Sequence, residues 1–144
     1  MVIEKTGNMW DHPYSQNEAV TIAVNTVGVT GAGQAKQFKE RYPSRVKEYV
    51  QFCKDGTLRI GHPVMSYGNP NVLYFPTKRH YSNASKLVWI ERGFLNLILN
   101  PPDVEVIHMP ALGCGCGQLL YADLMALARV YLANQDITFH IWRL

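Results

Sequence analysis

Short apolar runs alternate along this chain with longer segments of helical periodicity. The runs are mostly rich in β-branched and aromatic residues and are bounded by Gly, Pro or Asn, which is typical of strands. We predict strands at 20–25, 59–65, 72–75, 104–108 and 137–142. Pro63 weakens the second of these and favours an edge strand or a break there, because proline donates no ladder hydrogen bond.

Helical periodicity is clearest at 85–99, where Leu87, Ile90, Phe94 and Leu97 recur at steps of three and four and form one apolar face. We predict further helices at 33–41, 46–53 and 121–133. The first of these is expected to break at Tyr42-Pro43. Strands that alternate with helices predict an α/β fold whose mixed or mostly parallel sheet is covered on both faces.

The bulk properties indicate a folded protein and narrow the class of function. The chain has 144 residues, 47% of them hydrophobic and 17% charged, which suits one folded domain and argues against disorder. Its cysteines lack disulfide-framework spacing, its N-terminus lacks a signal-peptide core, and no apolar run is long enough to span a bilayer. We therefore expect a single domain at 1–144 in the cytoplasm, without a membrane partner. The net charge of +3 does not argue for nucleic acid by itself but is compatible with a polyanionic partner.

Two glycine-rich loops, each after an apolar run, are the most informative feature for function. Loop 1 (27–33) reads Val-Gly-Val-Thr-Gly-Ala-Gly, and loop 2 (112–117) reads Leu-Gly-Cys-Gly-Cys-Gly. A strand that ends in glycines and reopens as a helix presents free N–H groups to phosphate, so two such loops suggest a ligand with two phosphates. Loop 1 matches neither the Rossmann fingerprint nor the Walker A loop. The competing interpretation of loop 1 is a tight turn that needs glycine for backbone reasons.

The cysteines of loop 2 are open to other interpretations. Cys114 and Cys116 could ligate a metal together with His108 or His80, but Cys-x-Cys is a poor zinc spacing and the chain has no second cysteine pair. Catalytic thiol chemistry would need a paired base, which the sequence does not show. We favour small buried side chains between the glycines, and we expect no metal and no cofactor.

Two polar residues lie near the predicted carboxyl ends of strands, where α/β proteins bind ligands. Asn25 ends the strand before loop 1, and its side chain could face a ligand or stabilise the turn. Lys78 lies in the segment Phe-Pro-Thr-Lys-Arg-His-Tyr at 75–81 and could clamp an anion, act as a nucleophile or belong to a solvated basic turn. Arg79 and His80 would favour the neutral amine of Lys78 if they share its surroundings.

Taken together, these segments resemble the macro domain, the ADP-ribose-binding α/β/α fold, and within it the branch of the DarG-like and terminal ADP-ribose glycohydrolases. Three motifs carry the resemblance in the family's order: Val-Asn-Thr-Val-Gly-Val-Thr-Gly-Ala-Gly at 24–33, Phe-Pro-Thr-Lys-Arg-His at 75–80 and Pro-Ala-Leu-Gly-Cys-Gly-Cys-Gly at 110–117. The resemblance spans nearly the whole chain. It implies a three-layer α/β/α fold with a mixed central sheet.

The resemblance also implies roles for particular residues. Asn25 would contact the distal ribose, the glycines of both loops would hold the diphosphate, and Lys78 matches the lysine assigned as catalytic in this branch. Trp142 would stack on adenine, a role that its flat apolar face suits. The expected ADP-ribose-binding residues are Asn8, Met9, Asn25, Gly28, Gly31, Gly33, Thr77, Gly113, Cys114, Gly115, Cys116, Gly117 and Trp142.

The chain departs from the family pattern at several positions. The family usually has Gly-Asp where this chain has Gly7-Asn8, so Asn8 could accept the adenine amino group only through its amide oxygen. Gly117 stands where the terminal ADP-ribose glycohydrolases have a catalytic aspartate, which favours the DarG-like side. Thr30 and Ala32 stand where the family often has Met and Lys.

The leading hypothesis is an ADP-ribosyl hydrolase that uses Lys78 to remove ADP-ribose from a DNA base or an acidic side chain. A non-catalytic ADP-ribose-binding module and a phosphatase acting on ADP-ribose 1″-phosphate are the alternatives. The expected partners are ADP-ribose or an ADP-ribosylated substrate, ADP-ribosylated DNA among them. A DarG protein normally has a further domain, for which 144 residues leave no room, so we expect a free-standing eraser of the modification.

Overall fold

One mixed, six-stranded sheet organises the molecule. A computed structural model describes residues 1–143, and Leu144, the last residue of the expected domain, lies outside the described residues. The strands, in the sheet order β1-β6-β5-β2-β4-β3, are β1 (Val2–Thr6), β6 (Thr138–Arg143), β5 (Val106–Pro110), β2 (Glu18–Asn25), β4 (Asn71–Lys78) and β3 (Val64–Ser66). All neighbouring strands run parallel except β3, which pairs antiparallel with β4 at one edge.

Helices cover both faces of this sheet. They are α1 (Gly33–Arg41), α2 (Pro43–Lys54), α3 (Leu87–Leu99) and α4 (Tyr121–Leu132). Because side chains alternate along a strand, Ile22 and Tyr74 pack towards α1 and α2, whereas Ala19 and Phe75 pack towards α3 and α4. The three-layer α/β/α architecture with a mixed sheet is therefore confirmed. Within residues 1–143, no helix has the length and apolar character needed to cross a membrane.

The structure corrects the predicted element boundaries in three places. Strand β1 was not predicted, because Val-Ile-Glu-Lys-Thr has no sustained apolar run, and its parallel pairing with β6 holds it in the sheet. The run 59–65 contributes only the short edge strand β3, which begins directly after Pro63, so the edge-strand alternative is confirmed. Helix α2 begins at Pro43, since proline is well suited to the first turn of a helix.

A gap between β2 and β5 positions the site. The two strands pair only from Glu18 to Val20 on the β2 side. Beyond that point, the side chain of Gln34 in α1 donates from Nε2 to the carbonyl of Thr21 (2.7 Å) and accepts at Oε1 from the N–H of Ala23 (2.9 Å). Gln34 thus replaces the missing strand partner and satisfies the buried backbone groups. The separation opens a cleft at the carboxyl ends of the two strands, the usual ligand position in open α/β sheets.

Candidate functional site

The cleft lies between loop 1 and loop 2 and has a volume of about 580 Å³. That volume falls within the usual range for small-molecule sites. The carboxyl ends of β2, β4 and β5, the first turn of α1 and both glycine loops form its walls. Nine of the predicted site residues line it together: Asn25, Gly31, Gly33, Thr77, Lys78, Gly113, Gly115, Cys116 and Gly117.

The Asn25 side chain organises loop 1. Its Oδ1 accepts from the N–H groups of Val27 and Val29 (3.2 Å each), and its Nδ2 donates to the carbonyl of Val29 (2.8 Å). The buried Tyr49 hydroxyl of α2 lies 2.7 Å from the Asn25 carbonyl oxygen and 2.9 Å from Oδ1. Burial raises the pKa of Tyr49, so its hydroxyl remains a donor. Asn25 therefore stabilises the turn and also contributes to the cleft wall.

The N-terminus of α1 is open towards the cleft. Ala32, the N-cap residue, provides no side-chain hydrogen bond to the helix, and Gly31, Ala32 and Gly33 all line the cleft. The N–H groups of a first helical turn have no partner within their own helix, and the helix dipole makes this end electropositive. The end of loop 1 therefore suits an anionic group without help from a basic side chain.

Loop 2 folds into a tight structure that is fixed by its own backbone. The N–H of Leu119 donates to the carbonyl of Gly113 (2.8 Å), and the N–H of Ser85 donates to the carbonyl of Gly117 (2.9 Å). Gly113 has φ of +75°, which favours glycine. Among residues 1–143, the N–H groups of Gly115, Cys116 and Gly117 donate to no protein acceptor. These three groups can therefore bind the oxygens of a phosphate.

Gly117 admits no side chain in this loop. A Cβ there would lie 2.5 Å from the Gly113 carbonyl oxygen and would collide with Ser85 Oγ. Ser85 Oγ is itself buried without a hydrogen-bond partner in the described part of the chain. The position at which the terminal ADP-ribose glycohydrolases have an aspartate is thus closed to one here. The residues that line the cleft include no Asp or Glu.

Lys78 is the basic side chain of the cleft. A shift of register at the end of the β2–β4 ladder places it opposite Asn25, and it is 8% exposed. Its Nζ donates to the carbonyl of Tyr81 at 3.4 Å. The neighbouring basic residues have other contacts, because the Arg79 guanidinium lies 5.5 Å from the centre of a Trp89 ring and His80 Nδ1 contacts the Ser82 hydroxyl. Lys78 thus belongs to the cleft and not to a solvated basic turn.

The remaining predicted site residues lie outside this lining. Asn8 Oδ1 accepts from the N–H of Trp10 (3.0 Å) and caps a short 3-10 turn at Met9–Asp11. Met9 is buried in the core, Gly28 packs against Val50, and Cys114 packs against the core on the α4 side. Trp142 pairs in register with Pro110, which lines the cleft, so it borders the site from the adjacent strand.

His108 belongs to a separate polar cluster and not to a cysteine metal site. Its Nε2 lies 2.7 Å from Glu18 Oε2, which also contacts His12 Nε2 at 2.9 Å. Trp142 Nε1–H donates to His108 Nδ1 (3.0 Å). This donor fixes the proton of the neutral ring on Nε2, facing Glu18, so a metal could bind Nε2 only if the Trp142 contact broke. We therefore place no metal among His12, Glu18 and His108.

Sequence reasoning missed four residues that shape the cleft. Gln34 and Tyr81 line it, whereas Tyr49 and Ser85 support Asn25 and loop 2 from behind. Tyr81 directly follows the Lys-Arg-His segment, so its position beside the cleft was available as a signal. Gln34, Tyr49 and Ser85 act through tertiary contacts and have no local sequence signature.

The comparisons with known proteins agree with this geometry. The family model described as the macro domain matches residues 21–128. The chain is 34% identical over 124 residues to a "DNA ADP-ribosyl glycohydrolase" of Thermus aquaticus, covering 81% of this chain and 34% of that protein. It is 36% identical over 116 residues to a protein of the same name from Mycobacterium tuberculosis, covering 76% of this chain and 33% of that one. The chain thus spans about a third of the length of these curated relatives.

Solved structures show the same fold. The macrodomain of Thermus aquaticus DarG superposes with a TM-score of 0.89 at 29% identity, over 100% of this chain and 99% of that one. Thermosipho africanus DarTG in complex with ADP-ribose superposes with a TM-score of 0.82 at 31% identity, over 89% of this chain and 38% of that one. Two glycine loops around a β2–β5 cleft, a family model over most of the chain and these superpositions lead to one conclusion. The chain belongs to the macro-domain family.

Proposed function

We propose that this protein binds ADP-ribose in the cleft and removes it from a modified DNA base, with Lys78 as the catalytic residue. The observation that carries the proposal is the buried Lys78 amine in a cleft whose two glycine loops both offer free N–H groups. The names of the relatives from Thermus aquaticus and Mycobacterium tuberculosis support the reaction and the substrate. We further propose that residues 1–144 form one macro domain and that it acts in the cytoplasm.

The proposed binding mode uses the backbone for the diphosphate. The N–H groups of loop 2 and of the first turn of α1 bind its oxygens, and this fixes the distal ribose near Asn25 and Lys78. Adenine lies beyond Pro110 on the side of Trp142 and Asn8. Asn8 Oδ1 already accepts a hydrogen bond from the N–H of Trp10, so its hydrogen bond to the adenine amino group is weaker. Selectivity for adenine is therefore reduced.

Lys78 has to act without a carboxylate partner. Gly117 leaves no room for the aspartate of the terminal ADP-ribose glycohydrolases, and no other Asp or Glu lines the cleft. The neutral amine of Lys78 can add to the anomeric carbon once the ribose ring has opened; the bond from that carbon to the base then breaks, the base leaves with a proton, and water releases ADP-ribose from the lysine. Alternatively, the protonated amine can stabilise negative charge on the departing base. Both routes depend on this one side chain.

The test compares wild type with Lys78→Ala on a thymidine-ADP-ribosylated oligonucleotide. We expect the variant to lose release of free ADP-ribose while its affinity for ADP-ribose, measured by calorimetry, stays within about threefold of wild type. Lys86→Ala, which removes an exposed lysine outside the cleft lining, should release ADP-ribose at the wild-type rate. Equal turnover by wild type and Lys78→Ala would overturn the catalytic assignment.

A reader of ADP-ribose without turnover is the second candidate, and the absence of a lining carboxylate favours it. In that case wild type binds ADP-ribose but releases none from DNA or from ADP-ribosylated protein. The same assay should include ADP-ribose 1″-phosphate, because release of inorganic phosphate from it would identify a phosphatase instead.

A further inference from the structure

The positive charge of the chain is concentrated on one pair of helices. Residues 33–54, which form α1 and α2, contain six of the 14 Lys and Arg residues but only two of the 11 Asp and Glu residues. This hairpin therefore has a formal net charge of +4, although the whole chain has only +3. The mild overall charge thus conceals a basic face.

Part of this charge is already neutralised or stacked within the protein. Arg45 bonds to Glu48 (2.8 Å) and to the carbonyl oxygen of Pro70 (2.7 Å), and Glu48 also accepts from Tyr74 on its inner side. The Arg41 guanidinium lies 5.1 Å from the centre of a Trp10 ring. The exposed lysines of the hairpin are the charges that remain available to a partner.

Three of those lysines border a single groove. We define the lysine groove by its lining, which is Lys39, Pro43, Val46, Lys47, Val50, Gln51 and Lys54. Its volume is about 350 Å³. Residues 47, 50, 51 and 54 lie on one side of α2 because they recur at helical spacing. Among residues 1–143, no carboxylate lies within ion-pair distance of the three lysines.

The floor of the groove is apolar and the rim is cationic. Val46 and Val50 of the lining are partly buried, whereas Lys39, Lys47 and Lys54 are exposed. A single nucleic-acid strand presents this same alternation, with charged phosphates along one edge and sugar and base faces beside them. An acidic peptide would match the charges but would leave the apolar floor without a partner.

The groove is connected to the cleft through loop 1. A Cβ on Gly28 would lie 3.6 Å from a methyl group of Val50, so loop 1 rests against the groove wall. On the inner side of the same helix, Tyr49 hydrogen-bonds Asn25 in the cleft. Val27 and Val29 of loop 1 are exposed, and Val29 also lines the cleft. The distance from the groove to Asn25 is therefore about one helix diameter, about 10 Å.

We propose that the lysine groove binds the sugar–phosphate backbone of the single DNA strand whose modified base enters the cleft. The identity of the strand rests on the function proposed above. The groove would raise the affinity for an ADP-ribosylated oligonucleotide over that for an isolated ADP-ribosylated nucleoside, since only the oligonucleotide extends beyond the cleft.

The test uses the triple variant Lys39→Gln, Lys47→Gln and Lys54→Gln. Its control is Arg59→Gln, Arg92→Gln and Arg129→Gln, which removes the same charge from exposed positions outside the groove. Binding of an unmodified single-stranded oligonucleotide of about 12 nucleotides is followed by fluorescence anisotropy over a range of salt concentrations. We expect the groove variant to bind at least about 10-fold more weakly at low salt and to lower the salt slope by about 2, because three phosphate contacts are lost.

Turnover separates the groove from the cleft. With ADP-ribosylated thymidine as substrate, kcat/KM should be the same for the groove variant, the control variant and wild type. With the ADP-ribosylated oligonucleotide, only the groove variant should show a raised KM. Wild type could bind the oligonucleotide, and the groove variant lose that binding, while neither protein turns over either substrate. This outcome would support the groove and overturn the proposed enzyme function.

Two results would overturn the groove itself. The first is equal oligonucleotide affinity and equal salt slope for the groove and control variants. The second is a poly-glutamate peptide that binds wild type as tightly as the oligonucleotide does and weakens equally in the groove variant. That result would identify a general polyanion surface or a protein-docking face. Both variants replace exposed side chains, and circular dichroism melts would check that each is folded.

Discussion

At the scale of single residues, Gly117 is a position of loop 2 that has no room for a side chain. Its missing side chain lets Ser85 and Gly113 close loop 2 from both sides, so Gly117→Ala must displace one of them. We expect this variant to lose about 1–3 kcal/mol of unfolding free energy in urea titrations and to bind ADP-ribose at least about 10-fold more weakly. Gly115→Ala is the matched control, because a Cβ at Gly115 meets nothing within 4 Å. Equal stability of the two variants would show that loop 2 tolerates a side chain at position 117.

Most of the predicted residues that line the cleft were accessible to sequence reasoning because they lie in recognisable local patterns. The glycine loops follow strands, Asn25 ends a strand and Lys78 lies in a three-residue basic run, so each can be found in the sequence. The residues that hold them in place cannot be found in this way. Tyr49 is a buried aromatic residue in a helix, and only the three-dimensional structure shows that its hydroxyl hydrogen-bonds Asn25.

At the scale of elements, the side chain of Gln34 substitutes for a strand. It bonds Thr21 and Ala23 where β5 has separated from β2, and Gln34→Ala would leave the part-buried carbonyl of Thr21 and N–H of Ala23 without these partners. We expect a loss of about 1–3 kcal/mol of unfolding free energy and weaker ADP-ribose binding, because the gap between β2 and β5 is the cleft. Gln37→Ala removes an exposed hydrogen bond to Trp10 from the same helix and should cost less than about 1 kcal/mol. A Gln34→Ala protein as stable as Gln37→Ala would contradict this role.

The elements themselves were predicted where burial gives a strong period. Six elements bury apolar side chains in the two cores: α3, α4, β2, β4, β5 and β6. The apolar residues of these elements form the runs and periodic patterns that predicted them. Strand β1 is half exposed at the sheet edge and contains two adjacent charged residues, Glu4 and Lys5, so only its pairing with β6 defines it. The separation of β2 from β5, beside which the cleft lies, has no sequence signature, and the Gln34 side chain that bonds β2 there acts through a tertiary contact.

At the scale of the whole molecule, the segment between β1 and β2 crosses the sheet over a histidine cluster. The 3-10 turn Met9–Asp11 of this segment contacts β5, and His12 packs against His108 with 4.4 Å between the ring centres. His140 lies beside them, 4.7 Å from His108, and Glu18 is the carboxylate that His12 and His108 share. The cluster anchors the stretch that begins at Asn8, so its protonation affects both stability and the proposed adenine end of the site.

The pH dependence of unfolding tests this arrangement. Burial of His108 lowers its pKa to about 4, from an ordinary value of 6.5, and burial also lowers the pKa of His140. Burial alone would raise the pKa of Glu18, but hydrogen bonds from His12 and His108 outweigh it and lower that pKa. For His108, the unfolded chain therefore takes up the proton first between pH 6.5 and pH 4, and the free energy of unfolding falls as the pH drops through that window.

We expect this single group to account for a loss of about 2 kcal/mol between about pH 7 and pH 5, measured by urea unfolding. Protonation of Glu18 at lower pH acts in the same direction, because its pKa is lowered in the folded state. His108→Gln cannot be protonated and should lose most of this dependence, whereas His62→Gln, at an exposed histidine, should keep it. An unchanged pH profile in His108→Gln would show that His108 does not carry this dependence. The loss of stability on acidification would then come from other groups whose pKa is lowered in the folded protein, Glu18 and His140 among them.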